Sequence, residues 1–150
     1  MVCVESEGLF RVAVVRRVFV WISFVLCSLV VIGVVVQLYL IAAWVFGEGG
    51  ALNAHKVVGG AIVHPAEILA FLAGLAGWWG NWRNVTVSFS LALLGTIQVF
   101  FAGSLNHPHD GYVHGLHGGL ALFVAALAAW IARREARALG IVSAQRPAVD

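Results

Sequence analysis

The chain is poor in charge. Acidic and basic residues make up 11% of its 150 positions, and lysine occurs once, as Lys56. Soluble domains carry about a quarter charged residues, so that class is excluded. Nucleic-acid binding goes with it, because it needs a clustered basic face outside lipid. The two cysteines, Cys3 and Cys27, form neither a CxxC nor a CxxCH pattern, so a thiolate metal site and a covalently attached haem both lack support. No nucleophile constellation, phosphate loop or paired catalytic carboxylates are present, which leaves a soluble-type hydrolase or transferase without a basis.

Apolar residues dominate instead, at 61% of the chain with a mean hydropathy of +0.95. They fall into runs at residues 18–46, 52–79, 85–105 and 112–131. Each run has about 20 residues or more, enough for a helix to cross a hydrocarbon core of about 30 Å. The links are short, GEGGA, GNWRN and NHPHDG. Such links force neighbouring spans into an all-α, up-down-up-down four-helix bundle, since a lipid-buried segment must satisfy its own backbone groups. The first run is about twice the length of a secretory apolar core and lacks a small-x-small cleavage site, so it reads as an uncleaved span. The expected organisation is an N-terminal tail at residues 1–17, a transmembrane domain at 18–132 and a C-terminal tail at 133–150 that begins as the short basic helix RREARAL.

Arg11, Arg16, Arg17, Arg83, Arg133, Arg134, Arg137 and Arg146 all fall on one side of this topology, and Lys56 alone on the other. The positive-inside rule then predicts an inner-membrane protein with both termini in the cytoplasm. Trp44, Trp78, Trp79, Trp82 and Trp130 stand near span ends, as an aromatic belt requires.

The polar residues inside the runs show an internal repeat of a helical hairpin. ALNAHKVVGG at residues 51–60 recurs as DGYVHGLHGG at 110–119, each with a histidine four residues ahead of a glycine pair: His55 before Gly59 and Gly60, His114 before Gly118 and Gly119. Upstream, Gln37 in VVVQLYL corresponds to Gln98 in TIQVFFA. In a sequentially connected ring, helices 2 and 4 are diagonal, separated by about 11–14 Å when neighbouring axes are 8–10 Å apart. Imidazoles from His55 and His114 reaching across that diagonal leave room for one metal ion at the centre of a flat macrocycle. Gly59 and Gly118, one turn deeper, would let the ring plane pass near the backbone. This is the geometry of bis-histidine haem b. Gln37 and Gln98 on the other diagonal are candidates to hydrogen-bond a ligand edge or each other, and His117 is the alternative ligand on its helix. Against the haem reading stands simple packing, because membrane helices use glycine where they touch.

His107, His109 and Asp110 in NHPHD form a second, loop-borne metal candidate, with Pro108 marking a turn. His64, Pro65 and Glu67 form an intramembrane proton or polar site near the middle of the second span, where an ionisable side chain is costly and faces the bundle interior. At i and i+3, His64 and Glu67 can hydrogen-bond. The competing reading is an interhelical bond to Ser88, Ser90 or Thr96. Pro65 frees a carbonyl near Ala61 and bends the helix. Nine residues separate His55 from His64, half a turn out of phase, so on a regular helix both cannot face the axis.

The set Gln37, His55 with Gly59, Gln98, and His114 with Gly118 resembles small four-helix bacterial membrane proteins of unknown function, over residues 30–132. More distantly it resembles one half of haem A synthase, a membrane enzyme of two such bundles with haem ligands on helices 2 and 4. That resemblance implies His55 and His114 as ligands and Glu48 as a loose match to an acidic loop residue. It implies haem binding more than catalysis, since one bundle is present and the first outer loop lacks a cysteine pair. The partners expected are the lipid bilayer, a quinone or membrane redox partner, and a homodimer or larger membrane complex. The competing expectations are an accessory subunit without enzymatic activity and a lipid-binding or proton-coupled protein.

Overall fold

The structure, a computed structural model, describes residues 2–103 and 111–142. Helix α1 covers Val2–Val45. The second span is composite: α2 (Ala51–Val58), a π-helical turn (Gly59–Val63) and α3 (His64–Gly77). Helix α4 covers Trp82–Gly103, and α5 covers Gly111–Leu139. Four stretches, Arg11–Val45, Ala51–Gly77, Trp82–Ala102 and Gly111–Leu139, are long and apolar enough to cross a membrane. The protein is an all-α, multi-pass membrane bundle.

The helices form a ring in chain order. Helix α1 packs on α3 and α5, and α4 packs on the same two. The second and fourth spans therefore face each other across one diagonal. The chain reverses direction at Gly47 and Gly80, whose φ values of 103° and 88° suit glycine alone. Helix α5 stops at Gly140, where the Ile141 N–H donates to the Ala136 carbonyl at 2.9 Å and the Gly140 N–H to that of Arg137 at 3.1 Å, a Schellman closure. The start of α1 and the end of α5 thus lie at one end of the bundle, with most of the arginines. The α1–α2 turn lies at the other, called the histidine end below.

Two expectations about helix limits change. Residues 2–17, read as a tail, are the opening turns of α1, and RREARAL continues α5 rather than starting a separate helix. The RREARAL stretch has a physical reason: Ile131, Ala132, Glu135, Ala136 and Leu139 keep one helical stripe buried, so packing continues past the apolar run.

Between the ends the interior is filled by Cys27, Val30, Ala70, Leu91, Val124, Ala128 and Ile131, each at most 1% exposed. Lipid is as apolar as these side chains, so close packing and interhelical hydrogen bonds hold the ring. At the arginine-rich end all four spans meet through polar groups. The Ser23 hydroxyl donates to Glu135 Oε1 at 2.8 Å and also lies 3.3 Å from the Ala70 carbonyl. Arg134 donates to Asn84 at 3.1 Å and to Glu135 at 3.4 Å. Its guanidinium rests over the Trp78 and Trp130 rings, 5.1 and 5.5 Å from their centres. A β-carbon on Gly74 would stand 2.7 Å from the Ser88 hydroxyl, so that crossing admits glycine only.

Candidate functional site

Pro65 shapes the second span. Its missing N–H cannot complete an α-helical ladder, and the chain answers with the π-helical turn just before it, where the His64 N–H reaches back to the Gly59 carbonyl. Such a turn holds one residue more than an α-turn. Residues beyond it lag by about 100° relative to a regular helix. His55 and His64 are consequently separated by about 80° rather than half a turn, and Glu67 falls within about 20° of His55. The phase conflict expected of a regular helix does not arise, and the second span turns His55 and Glu67 to one side.

At the histidine end, His55 Nδ1 lies 3.2 Å from the Gln37 carbonyl, and His117 Nδ1 lies 3.0 Å from the Gln98 carbonyl. A carbonyl oxygen only accepts, so each Nδ1 carries the hydrogen, and in its neutral form each ring keeps its Nε2 lone pair for another partner. This is the arrangement in which metal-ligating histidines are oriented by a backbone carbonyl. The two rings approach edge to face across the diagonal, with centres 6.3 Å apart and planes 73° to one another. The expected pairing was between His55 and His114. His114 is exposed on α5, one turn nearer the histidine end, and the ring that meets His55 belongs to His117. The reason is helix phase: the α5 face opposite the Gln98 carbonyl is the one carrying residue 117.

The glutamines act chiefly through their backbones. Gln37 also lays its amide nitrogen against Gly59, in the space a β-carbon would fill, and its Oε1 is buried without a partner. Gly59 therefore seats Gln37 and does not offer the free backbone face expected of it. Gly118 and Gly119 have nothing within 4 Å among the described residues, so the two glycine pairs are packed differently.

Deeper in the bundle, His64 Nδ1 stands 3.2 Å from Glu67 Oε2. Glu67 is 2% exposed, and its carboxyl lies against Gly95 of α4, where no β-carbon fits. The hydroxyls considered as its partners serve their own helix: Ser88 donates to the Asn84 carbonyl, Ser90 to that of Thr86 and Thr96 to that of Ala92. Glu48 sits in the α1–α2 turn, where its carbonyl accepts from the Ala51 N–H at 3.1 Å. His107, His109 and Asp110 lie outside the described residues.

Sequence reasoning missed Glu135, which is 0% exposed. A signal was available in the spacing of Ala128, Ile131, Ala132, Glu135 and Leu139, which puts the acid on the buried stripe while Arg133 and Arg137 stay exposed. Among the described residues no group of three or more histidine, cysteine, aspartate or glutamate side chains could hold a metal ion. No protein-family model, curated protein or solved structure matches the chain.

Proposed function

We propose that the chain is a b-type haem protein of the inner membrane that transfers electrons within the bilayer, with His55 and His117 as axial ligands and both termini in the cytoplasm. The observation that carries this reading is the imidazole pair. A metal ion midway between rings 6.3 Å apart lies about 3.1 Å from each centre. A ring nitrogen stands roughly 1 Å from its centre, so a bond of about 2 Å, the usual metal–imidazole distance, is reached when both Nε2 atoms turn to that midpoint. Both rings have the tautomer such a bond needs. No third histidine, cysteine, aspartate or glutamate joins them among the described residues, so a metal held here would need further ligands of the kind the four nitrogens of a porphyrin supply.

When bound, the haem would supply one-electron chemistry. The protein's part is to fix both rings through the Gln37 and Gln98 carbonyls, raising their basicity. The buried Gln37 Oε1 offers a hydrogen-bond acceptor beside His55. The positive-inside distribution of arginine supports the orientation, and a quinone or membrane redox protein is the fitting partner.

The test is the visible spectrum of protein purified after expression with haem supplied. A reduced-minus-oxidised b-type difference is expected, lost in His55→Ala and His117→Ala and kept in His114→Ala. A colourless wild-type protein overturns the reading.

A second reading, a subunit that assembles with another membrane helix, draws on α5. Gly111, Gly115 and Gly119 recur every fourth residue and line an apolar groove of about 600 Å³ with Leu116, Leu120 and Phe123, the small-residue pattern that membrane helices use to approach one another. A larger assembly that dissociates on Gly115→Leu substitution would favour it.

A further inference from the structure

The arginine-rich end holds a cleft that neither the polar clasp nor the imidazole pair uses. It is open, about 380 Å³ in volume, and lined chiefly by Ala13, Arg16, Arg17 and Val20 of α1, by Trp78 after α3 and by Ala138 of α5. Residues 13, 16, 17 and 20 recur at helical spacing, so one face of α1 presents two guanidinium groups between apolar neighbours. The walls are fixed by packing. A β-carbon on Gly77 would stand 2.9 Å from a Val20 methyl and 3.1 Å from the Val20 nitrogen, so the second span closes directly on the α1 backbone there. The Trp78 ring carries the Arg134 guanidinium 5.1 Å from its centre, which anchors that wall to the clasp.

The charge in the cleft is not spent. Arg17 Nη2 donates to the Leu139 carbonyl at 3.1 Å, which places its head at the end of α5. One donor of five is used, and the rest of the planar fork suits a phosphate. Neither Arg16 nor Arg17 has an acidic partner among the described residues, where the ion pairs are those of His64 with Glu67 and Arg134 with Glu135. Cations beside an apolar cleft, at the level of the tryptophan belt, match a molecule with negative charge at one end and hydrocarbon at the other. We infer that the cleft seats an anionic phospholipid of the bilayer, its phosphate on Arg16 and Arg17 and its first methylenes against Val20 and Trp78. A free inorganic anion would use the arginines and leave the apolar walls uncovered. The site is separate from the imidazole pair and does not depend on a haem.

The test is native mass spectrometry of the full-length protein, released from neutral detergent with phosphatidylglycerol or with phosphatidylcholine of the same acyl chains. Both lipids carry a phosphate, but only the first has a net negative charge. Phosphatidylglycerol is expected to bind about tenfold more tightly, the order that two arginines at a headgroup supply. Equal affinity for the two lipids overturns the site. The Arg16→Gln, Arg17→Gln double variant should cut the preference below about twofold, whereas Arg133→Gln with Arg137→Gln, the same loss of charge at exposed positions of α5, should leave it near the wild-type value. Equal losses from the two pairs would mean a diffuse surface charge and overturn the cleft. Where loss of the Arg17 contact with Leu139 unfolds the end of α5, Arg16→Gln alone keeps that contact and should still lower the preference about threefold; an unchanged preference counts against the site. Ala138→Phe fills the cleft without altering charge and should also weaken phosphatidylglycerol binding, and undiminished binding overturns the assignment. Inorganic phosphate in large excess should not displace the lipid. Displacement would mark a free-anion site and overturn the lipid as occupant.

Discussion

The two ends of the bundle use polar residues in opposite ways. At the arginine-rich end, Ser23, Asn84, Arg134 and Glu135 bond mainly to one another across three helices, with Trp78 and Trp130 over the guanidinium. At the histidine end, the His55 and His117 rings are fixed by backbone carbonyls, and the Oε1 of Gln37 is buried without a partner. The first arrangement ties the spans together, with Arg134 Nε left buried without a partner. The second holds two imidazoles in place through main-chain carbonyls. A membrane bundle gains little from the hydrophobic effect between helices, so a polar clasp at the arginine-rich end helps hold the ring together.

This contrast can be broken most forcefully at Glu135. Glu135→Ala leaves Arg134 and Ser23 without their buried acceptor and should cost about 3 kcal/mol, measured by thermal unfolding in detergent, while the b-type spectrum of the folded fraction stays unchanged. A spectral change would mean that the two ends are not separate. Gly95→Ala puts a β-carbon into the Glu67 carboxyl and should cost about 2 kcal/mol as an overpacked contact; unaltered stability would show that Glu67 rests elsewhere. Ser23→Ala removes one hydrogen bond to Glu135 and should cost about 1 kcal/mol, a third of the acid's effect.

The smallest effects separate the two glycine pairs. Gly118→Ala meets nothing and should stabilise α5 by up to about 1 kcal/mol through helix propensity. Gly59→Ala displaces the Gln37 amide and should lose about as much, the opposite sign. Equal effects from the two substitutions would remove the packing difference between them.

Much of this was legible in the residues. Four spans, their ring order and the placing of the arginines at one end follow from run lengths, short links and charge. The i, i+3 contact of His64 with Glu67 was readable for the same reason, because it depends on local helix geometry alone. The partner of His55 was not. The repeat aligned His55 with His114 by sequence register, but which of two α5 histidines turns inward depends on how α5 is rotated against α4, fixed by contacts such as His117 with the Gln98 carbonyl. Glu135 escaped for a related reason: among arginines it looked like part of a solvated helix, and only the continuation of the buried stripe places it inside.

Composition and spacing by themselves determined a membrane-spanning helical bundle with histidines gathered toward one end, because lipid admits only helices of sufficient apolar length and short links admit only neighbours. Rotation was left to the folded chain. A helix repeats every 3.6 residues and a π-helical turn resets that count by one residue. Tertiary contacts alone could therefore decide that His117 meets His55, that Gly59 is filled by Gln37, and that Glu67 turns to the same side as the imidazole pair.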